Sequence, residues 1–180
     1  MQALWTAAAP YLRARKNDVH IPLSYGFAET LLSEFPEAEP DVVLPAILLH
    51  DCGWAVVDHQ VEQVGPEMHH SDMRRAHEIE GARIARSLVT GEHVEEIATI
   101  IDGHDSRLHA LSRNDELVKD ADKLWRYTTT GVAVGCDWFG MTPGEYADSV
   151  GSELERVIFT DVAKEIARTE IANARKALRI

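Results

Sequence analysis

Apolar positions recur at helical spacing along almost the whole chain, and strand-like alternation is nearly absent. Leu4, Trp5, Ala8 and Leu12 share one face, which predicts a short amphipathic helix at the N-terminus. Asp18 is placed to cap a helix carrying His20, Leu23, Phe27 and Leu31, with Pro22 accommodated in its first turn. Residues 35–40, FPEAEP, read as a turn. A second helix follows from about Asp41 to Cys52, with Pro45 near its first turn and Gly53 as terminator. Its apolar run, Val42 to Leu49, ends in the dipeptide His50-Asp51. Residues 58–71 lack periodicity and read as a loop or lid. A third helix, capped near Ser71 or Asp72, puts His77, Gly81, Ile84 and Leu88 on one face until Thr90-Gly91 breaks it. Gly81 there leaves room for another backbone or a ligand.

On the fourth helix Ile97, Ile100, Ile101 and His104 form one stripe. The fifth, from Asn114 or Asp115, aligns Val118, Ala121, Asp122 and Trp125. Residues 128–140, rich in glycine, read as a connection. Thr142-Pro143-Gly144-Glu145 has the form of a capping box and opens a sixth helix to about Phe159. A seventh runs from about Asp161 to Leu178. The one strand candidate is AVVDH, residues 55–59. The pattern predicts an all-α bundle of about six to seven helices in a single domain over residues 1–180, with the C-terminal helices over 142–180.

Composition adds exclusions. A chain of 180 residues with 45% hydrophobic and 27% charged residues is ordinary for a globular domain with a real core. No stretch reads as apolar for long enough to cross a membrane, and Val42 to Leu49 is a single core segment. Residues 1–16 lack the order of a secretion signal. Cys52 and Cys136 have no framework around them and fit free thiols, hence a cytoplasmic protein. Cys136 also has no histidine at useful spacing to make it a nucleophile. The formal charge of −12 argues against a duplex nucleic-acid partner, but not against a small phosphorylated one. No basic run suggests attachment to a membrane; a homodimer is compatible with the sequence.

Six metal-ligand types stand out: His20, His50, Asp51, His77, His104 and Asp122. Most of them end or interrupt an apolar stripe, and a buried imidazole or carboxylate needs a partner. A shared cation satisfies several at once. Adjacent residues on a helix diverge by about 100°, but at a helix end His50 and Asp51 can both bend toward one groove. His20, His50, Asp51 and Asp122 would leave open positions on an octahedral ion, as catalysis requires. With His77 and His104 added, the set exceeds one open ion and implies two divalent metals bridged by Asp51. Asp122 rather than Asp120 shares the face with Val118 and Trp125. His59, His69, His70, His93 and His109 read as solvated, and Trp125 and Trp138 as core.

The ordered set His20 in NDVHIPLSYGFAETLL, His50-Asp51 in AILLHDCGW and Asp122 in KDADKL resembles the HD-domain superfamily of metal-dependent phosphohydrolases. His77 in AHEIEGARIA and His104 in IDGHDS resemble the members with a binuclear site. The match covers a metal-binding core over about residues 18–126. The resemblance implies an all-helical fold, a small phosphorylated substrate and a metal-activated water that attacks phosphorus in line. It also implies cationic neighbours for the phosphate, for which Arg107, Lys123 and Arg126 are the candidates, and a proton donor, for which Asp105 is the candidate. Lys123 is the second candidate for a direct part in catalysis. Trp54 and Ala55 stand near where stringent-response hydrolases carry a Glu-Asp pair, and there is no Gly-Tyr-Pro triplet of the cyclic-dinucleotide branch. One branch with a similar ligand set holds two irons and oxygenates inositol or phosphonate substrates, which makes an oxygenase the alternative. A metabolite-binding domain without turnover is a third reading. Imidazole and carboxylate suit Fe, Mn, Zn, Ni or Mg to differing degrees, so the metal stays open.

Overall fold

The computed structural model describes residues 1–57 and 70–180. The expected lid over residues 58–71 therefore lies almost wholly outside the described residues. Among the described residues nine α-helices occur and no strand. They are α1 (Gln2–Ala8), α2 (Asn17–Glu34), α3 (Pro40–Leu49), α4 (His70–Leu88), α5 (Val94–Ile101), α6 (Arg113–Leu124), α7 (Thr129–Phe139), α8 (Pro143–Val157) and α9 (Asp161–Leu178). The strand candidate is overturned where it can be seen. Ala55 to Val57 continue a helical turn begun at Trp54, and Asp58 and His59 fall outside the described residues.

Helices α2, α3 and α6 pack against one another, α5 leans on α3, and α4 lies along α5. Their shared core includes Ile21, Leu31, Ile47, Leu48, Leu49, Ile84, Ile97, Ile101, Leu117 and Leu124, all essentially fully buried. The stretch 40–57 is apolar enough to span a membrane, with a mean hydropathy of 1.3, which the sequence reading did not allow. It is nevertheless 72% buried inside the bundle, as a core element should be.

Helix α2 starts at Asn17, two residues earlier than a cap at Asp18 would give. Lys16, in the left-handed region at φ 59°, precedes it without a side-chain cap, and Asp18 sits in the first turn. Pro22 is then inside the helix and withholds the N–H that the Asp18 carbonyl would have received. The presumed connection over 128–140 is helix α7, capped by Thr128 and ended by Gly140 at φ +62°. Its glycines are packing positions, not turns. A Cβ on Gly131 would lie 1.9 Å from the Trp125 carbonyl oxygen, and one on Gly135 would lie 2.1 Å from the Tyr146 ring. The capping box at Thr142 and Glu145 forms as read, with Pro143 in the first turn. Asp120 accepts hydrogen bonds from Phe159 N (2.6 Å), Thr160 N (2.9 Å) and Thr160 Oγ1 (2.7 Å), which ties α6 to the start of α9. That structural duty separates it from its neighbour Asp122.

Candidate metal centre

The fold carries His20 on α2, His50 and Asp51 at the end of α3, His77 on α4, His104 in the turn after α5, and Asp122 on α6. All six are brought together, and none is more than 9% exposed. The four imidazoles form a chain in which His20–His50, His50–His104 and His104–His77 ring centroids are 5.0, 4.8 and 5.0 Å apart.

Asp51 lies between two ligand sets. Its Oδ2 is 3.3 Å from His20 Nδ1 and 3.8 Å from His50 Nε2. Its Oδ1 is 3.4 Å from His77 Nε2 and 3.5 Å from His104 Nε2. Asp122 Oδ1 completes the first set, 3.1 Å from His20 Nε2 and 3.3 Å from His50 Nε2. Ligands about 2.1 Å from one ion and roughly 90–110° apart are separated by roughly 3.0–3.4 Å, so these spacings suit a shared cation. His20, His50 and Asp122, and also His50, Asp51 and His104, each bring one ligand atom within 4.8 Å of the other two, close enough to hold an ion.

The protonation pattern makes the same demand. His50 Nδ1 donates to the Ile47 carbonyl at 2.8 Å, and His104 Nδ1 to the Ile101 carbonyl at 2.9 Å. Those bonds fix the tautomers and turn both Nε2 atoms toward carboxylate oxygens. His50 Nε2 is buried and makes no well-aligned hydrogen bond. A lone pair there would face Asp122, so Nε2 needs a proton or a metal ion. Burial opposes charge on His50, but the Asp51 charge and Asp122 outweigh it and raise its pKa to about 9. Burial also works against charge on Asp51 and Asp122, yet His50 beside the first and Lys123 beside the second hold both well below the usual carboxylate range. Burial lowers the pKa of His104, leaving its Nε2 lone pair 3.3 Å from His77 Nε2. The residues present fit a divalent metal, with Asp51 able to serve both sets.

The HD domain family matches residues 20–126, from the first of these histidines to four residues beyond Asp122. The chain belongs to the HD-domain family. Neither a curated protein nor a solved structure matches it.

Two charged side chains set the turn that delivers the HD domain's His104. Glu78, next to His77 and fully buried, accepts from Asp105 N (2.9 Å), Ser106 N (2.7 Å), Ser106 Oγ (2.6 Å) and Arg75 Nη1 (3.0 Å). Burial opposes its ionisation, but the Ser106 bonds win and lower its pKa. Lys119 Nζ donates to the carbonyls of Gly103 (2.7 Å), His104 (2.9 Å) and Arg107 (2.9 Å). One carboxylate thus satisfies the turn's N–H groups and one ammonium its C=O groups. Close backbone contact sets the other side. A Cβ on Gly53 would lie 1.9 Å from the His77 carbonyl oxygen, and one on Gly81 would lie 3.0 Å from that of His50. Gly53 is therefore a point of close approach and not the helix terminator expected of it. Asn17 Nδ2 donates to the Asp51 carbonyl at 3.1 Å and anchors α2 to the same place.

Above the ligands opens a cavity of about 430 Å³ that includes Arg15, Asp105, Arg126 and several aromatic rings in its walls. The four non-ligand candidates divide. Asp105 and Arg126 line the cavity, whereas Lys123 and Arg107 do not and face a smaller adjoining hollow of about 200 Å³. Lys123 touches Asp122 Oδ2 at 2.5 Å and Asp105 Oδ1 at 3.4 Å, and Arg107 is held by Asp115 at 2.8 Å. Burial works against ionisation of Asp105, but Lys123 and His104 keep its pKa lowered, which favours the carboxylate over the acid form that a proton donor needs. Trp138 is 44% exposed and lines the cavity, so the expectation of a core residue fails. His93 is partly exposed and His109 exposed, while His59 and His69 lie outside the described residues, as does the His70 side chain. Glu78, Lys119 and Arg15 escaped sequence reading. Glu78 did leave one trace, an acid directly after a ligand histidine.

Proposed function

We propose that this HD domain is a phosphohydrolase that cleaves a phosphate ester of a small molecule with a metal-activated water, using two divalent ions that share Asp51. The observation that carries the reading is the placement of Asp51, one oxygen toward His20 and His50 and the other toward His77 and His104. Bound there, divalent metals supply Lewis acidity and an acidified water.

The protein supplies the rest. Arg126 lines the cavity, and among the described residues no hydrogen bond or ion pair engages its guanidinium. Burial opposes its charge, yet Asp122 and Asp105 raise its pKa, so it stays cationic and able to hold two phosphate oxygens bidentately. Lys123 fixes Asp122 through Oδ2, leaving Oδ1 for the ligand cluster. Asp105 keeps Lys123 in place, which leaves protonation of the leaving oxygen to solvent. In a chain of net charge −12, Arg126 in these walls, with divalent ions held by Asp51 and Asp122, would favour an anionic substrate. Cys52 and Cys136 are free, which suits a cytoplasmic setting.

The test is elemental analysis of protein purified without added metal or chelator, followed by anaerobic phosphate-release assays on a panel of phosphate esters. Two non-iron ions per chain with phosphate release supports the proposal. Two irons with substrate-dependent oxygen uptake and no phosphate release would replace it with the oxygenase alternative. A chain that binds no metal even after reconstitution would leave a binding domain without turnover.

A further inference from the structure

We infer that the cavity selects phosphate esters whose organic part is a flat, uncharged aromatic ring system seated on Trp138 and Phe139; this deepens, and rests on, the hydrolase reading. Three of the four tryptophans in the chain, Trp54, Trp125 and Trp138, line this one cavity, together with Phe139 and Tyr146. Among the described residues, apart from the metal ligands, Asp105 and the two arginines, the lining is aromatic and offers no serine, threonine, asparagine or glutamine. A polyol would have to shed water from many hydroxyls against few polar groups, chiefly Asp105, Arg126 and the Tyr146 hydroxyl, whereas an aromatic ring has little water to shed.

The rings are not equivalent. Trp54 stacks on His77 at 4.1 Å and 12°, and Arg15 lies 3.7 Å from the Trp54 ring centroid. Two groups that close to one centroid occupy opposite faces, so both faces of Trp54 are taken. Trp125 is 3% exposed, with His20 stacked on it at 4.7 Å and Trp138 meeting it at 5.9 Å and 75°. These two tryptophans hold ligand imidazoles in place. Trp138 and Phe139 are different: 44% and 62% exposed, they end α7 at the edge of the cavity. Their position is set from behind by Tyr146, whose ring packs into the space left by Gly135 and stacks near Phe139 at 6.0 Å and 16°.

Exposed aromatic faces attract flat rings and also organic cations. Asp51 and Asp122 in these walls are given to the metal centre and Asp105 to Lys123, so Arg126 is the charge left facing the cavity and disfavours a cation, which leaves the neutral ring. The phosphate end goes to the metal centre and Arg126, and the ring lies outward on α7.

The experiment measures equilibrium binding to the metal-loaded full chain by calorimetry, with phenylphosphonate against methylphosphonate as probes that are not hydrolysed. Phenylphosphonate should bind about tenfold more tightly. Trp138→Ala should lower phenylphosphonate affinity far more than methylphosphonate affinity and so remove most of that advantage, Phe139→Ala should reduce it, and Trp138→Phe should restore part of it. Equal affinity for the two probes, or a ring advantage that survives both alanine variants, overturns the inference. Turnover of adenosine 5′-monophosphate against phenyl phosphate and glycerol 2-phosphate then separates a heterocyclic base from a simple aryl group. Ring-selective binding without phosphate release from any ester would sink the hydrolase reading and keep the ring site. Cleavage of glycerol 2-phosphate with no ring advantage would do the reverse.

Discussion

The two halves of the metal centre are built differently. His20, His50 and Asp122 come from α2, α3 and α6, helices that pack directly on one another and satisfy most of their own backbone groups. His77 and His104 come from α4 and from a turn beyond the end of α5, where Gly103 sits at φ +157°. A helix delivers a ligand by periodicity alone. A buried turn must have its N–H and C=O groups satisfied by something else, and here Glu78 and Lys119 do it. The inner half therefore depends on apolar packing, and the outer half on a buried polar clamp. The outer half is the one that small chemical changes should loosen.

Asp51 belongs to both halves, so Asp51→Asn should have the largest effect. If two ions bind and hydrolysis follows as proposed, metal content after dialysis should fall for both, with affinity down by more than about 100-fold and phosphate release lost with it. Retention of one ion at near wild-type affinity would show that the halves do not share this carboxylate. Gly53→Ala comes next. Its new Cβ would meet the His77 carbonyl oxygen, a backbone atom that cannot swing aside. A loss on the order of 3 kcal/mol in chemical denaturation is expected. The outer ion should be released at lower chelator concentration than the inner one. Equal loosening of both ions would mean that α4 and the turn after Asp51 move as one body, and the contrast between halves would weaken.

The six candidate ligands stood out because most of them end or interrupt an apolar pattern: His104 ends the stripe of Ile97, Ile100 and Ile101, and His50-Asp51 ends the run from Val42. The helical class was legible for the same reason. Glycine misled in α7, since Gly131 and Gly135 look like turn chemistry, whereas their lack of a side chain admits the Trp125 carbonyl and the Tyr146 ring. That use of glycine is a tertiary fact with no local mark. Glu78 and Lys119 were illegible for a related reason. A charged residue on a helix normally marks a solvated face, and only the fold shows these two inside it. Arg107 and Lys123 stand close in sequence to ligands, but Asp115 and Asp122 claim them, and adjacency in sequence says nothing about that competition.

Glu78→Gln sharpens the comparison further. The amide can keep its oxygen on the Asp105 and Ser106 N–H groups, but those bonds lose the charge that strengthens them and an NH₂ group is set against Arg75. Outer-ion affinity should fall by about tenfold, with the inner ion unchanged, as competitive chelation with separate metal counts would read. A drop in both would mean that Glu78 stabilises the fold at large and not the turn.

Ser106→Ala is the mildest break, and the most discriminating. It removes one of the four bonds to Glu78, the 2.6 Å contact from Ser106 Oγ, and leaves the carboxylate and both backbone donors in place. A bond to a charged acceptor contributes about 1.5–3 kcal/mol when nothing replaces it. Ser106 is exposed, however, so water can take over most of that contact, and the net loss should shrink to roughly threefold in outer-ion affinity. If Ser106→Ala instead equals Glu78→Gln, the hydroxyl and not the charge sets the geometry of the turn. If it changes nothing while Glu78→Gln still costs about tenfold, the two backbone N–H bonds alone hold His104 toward Asp51, and the outer half is as much a property of the main chain as the inner one.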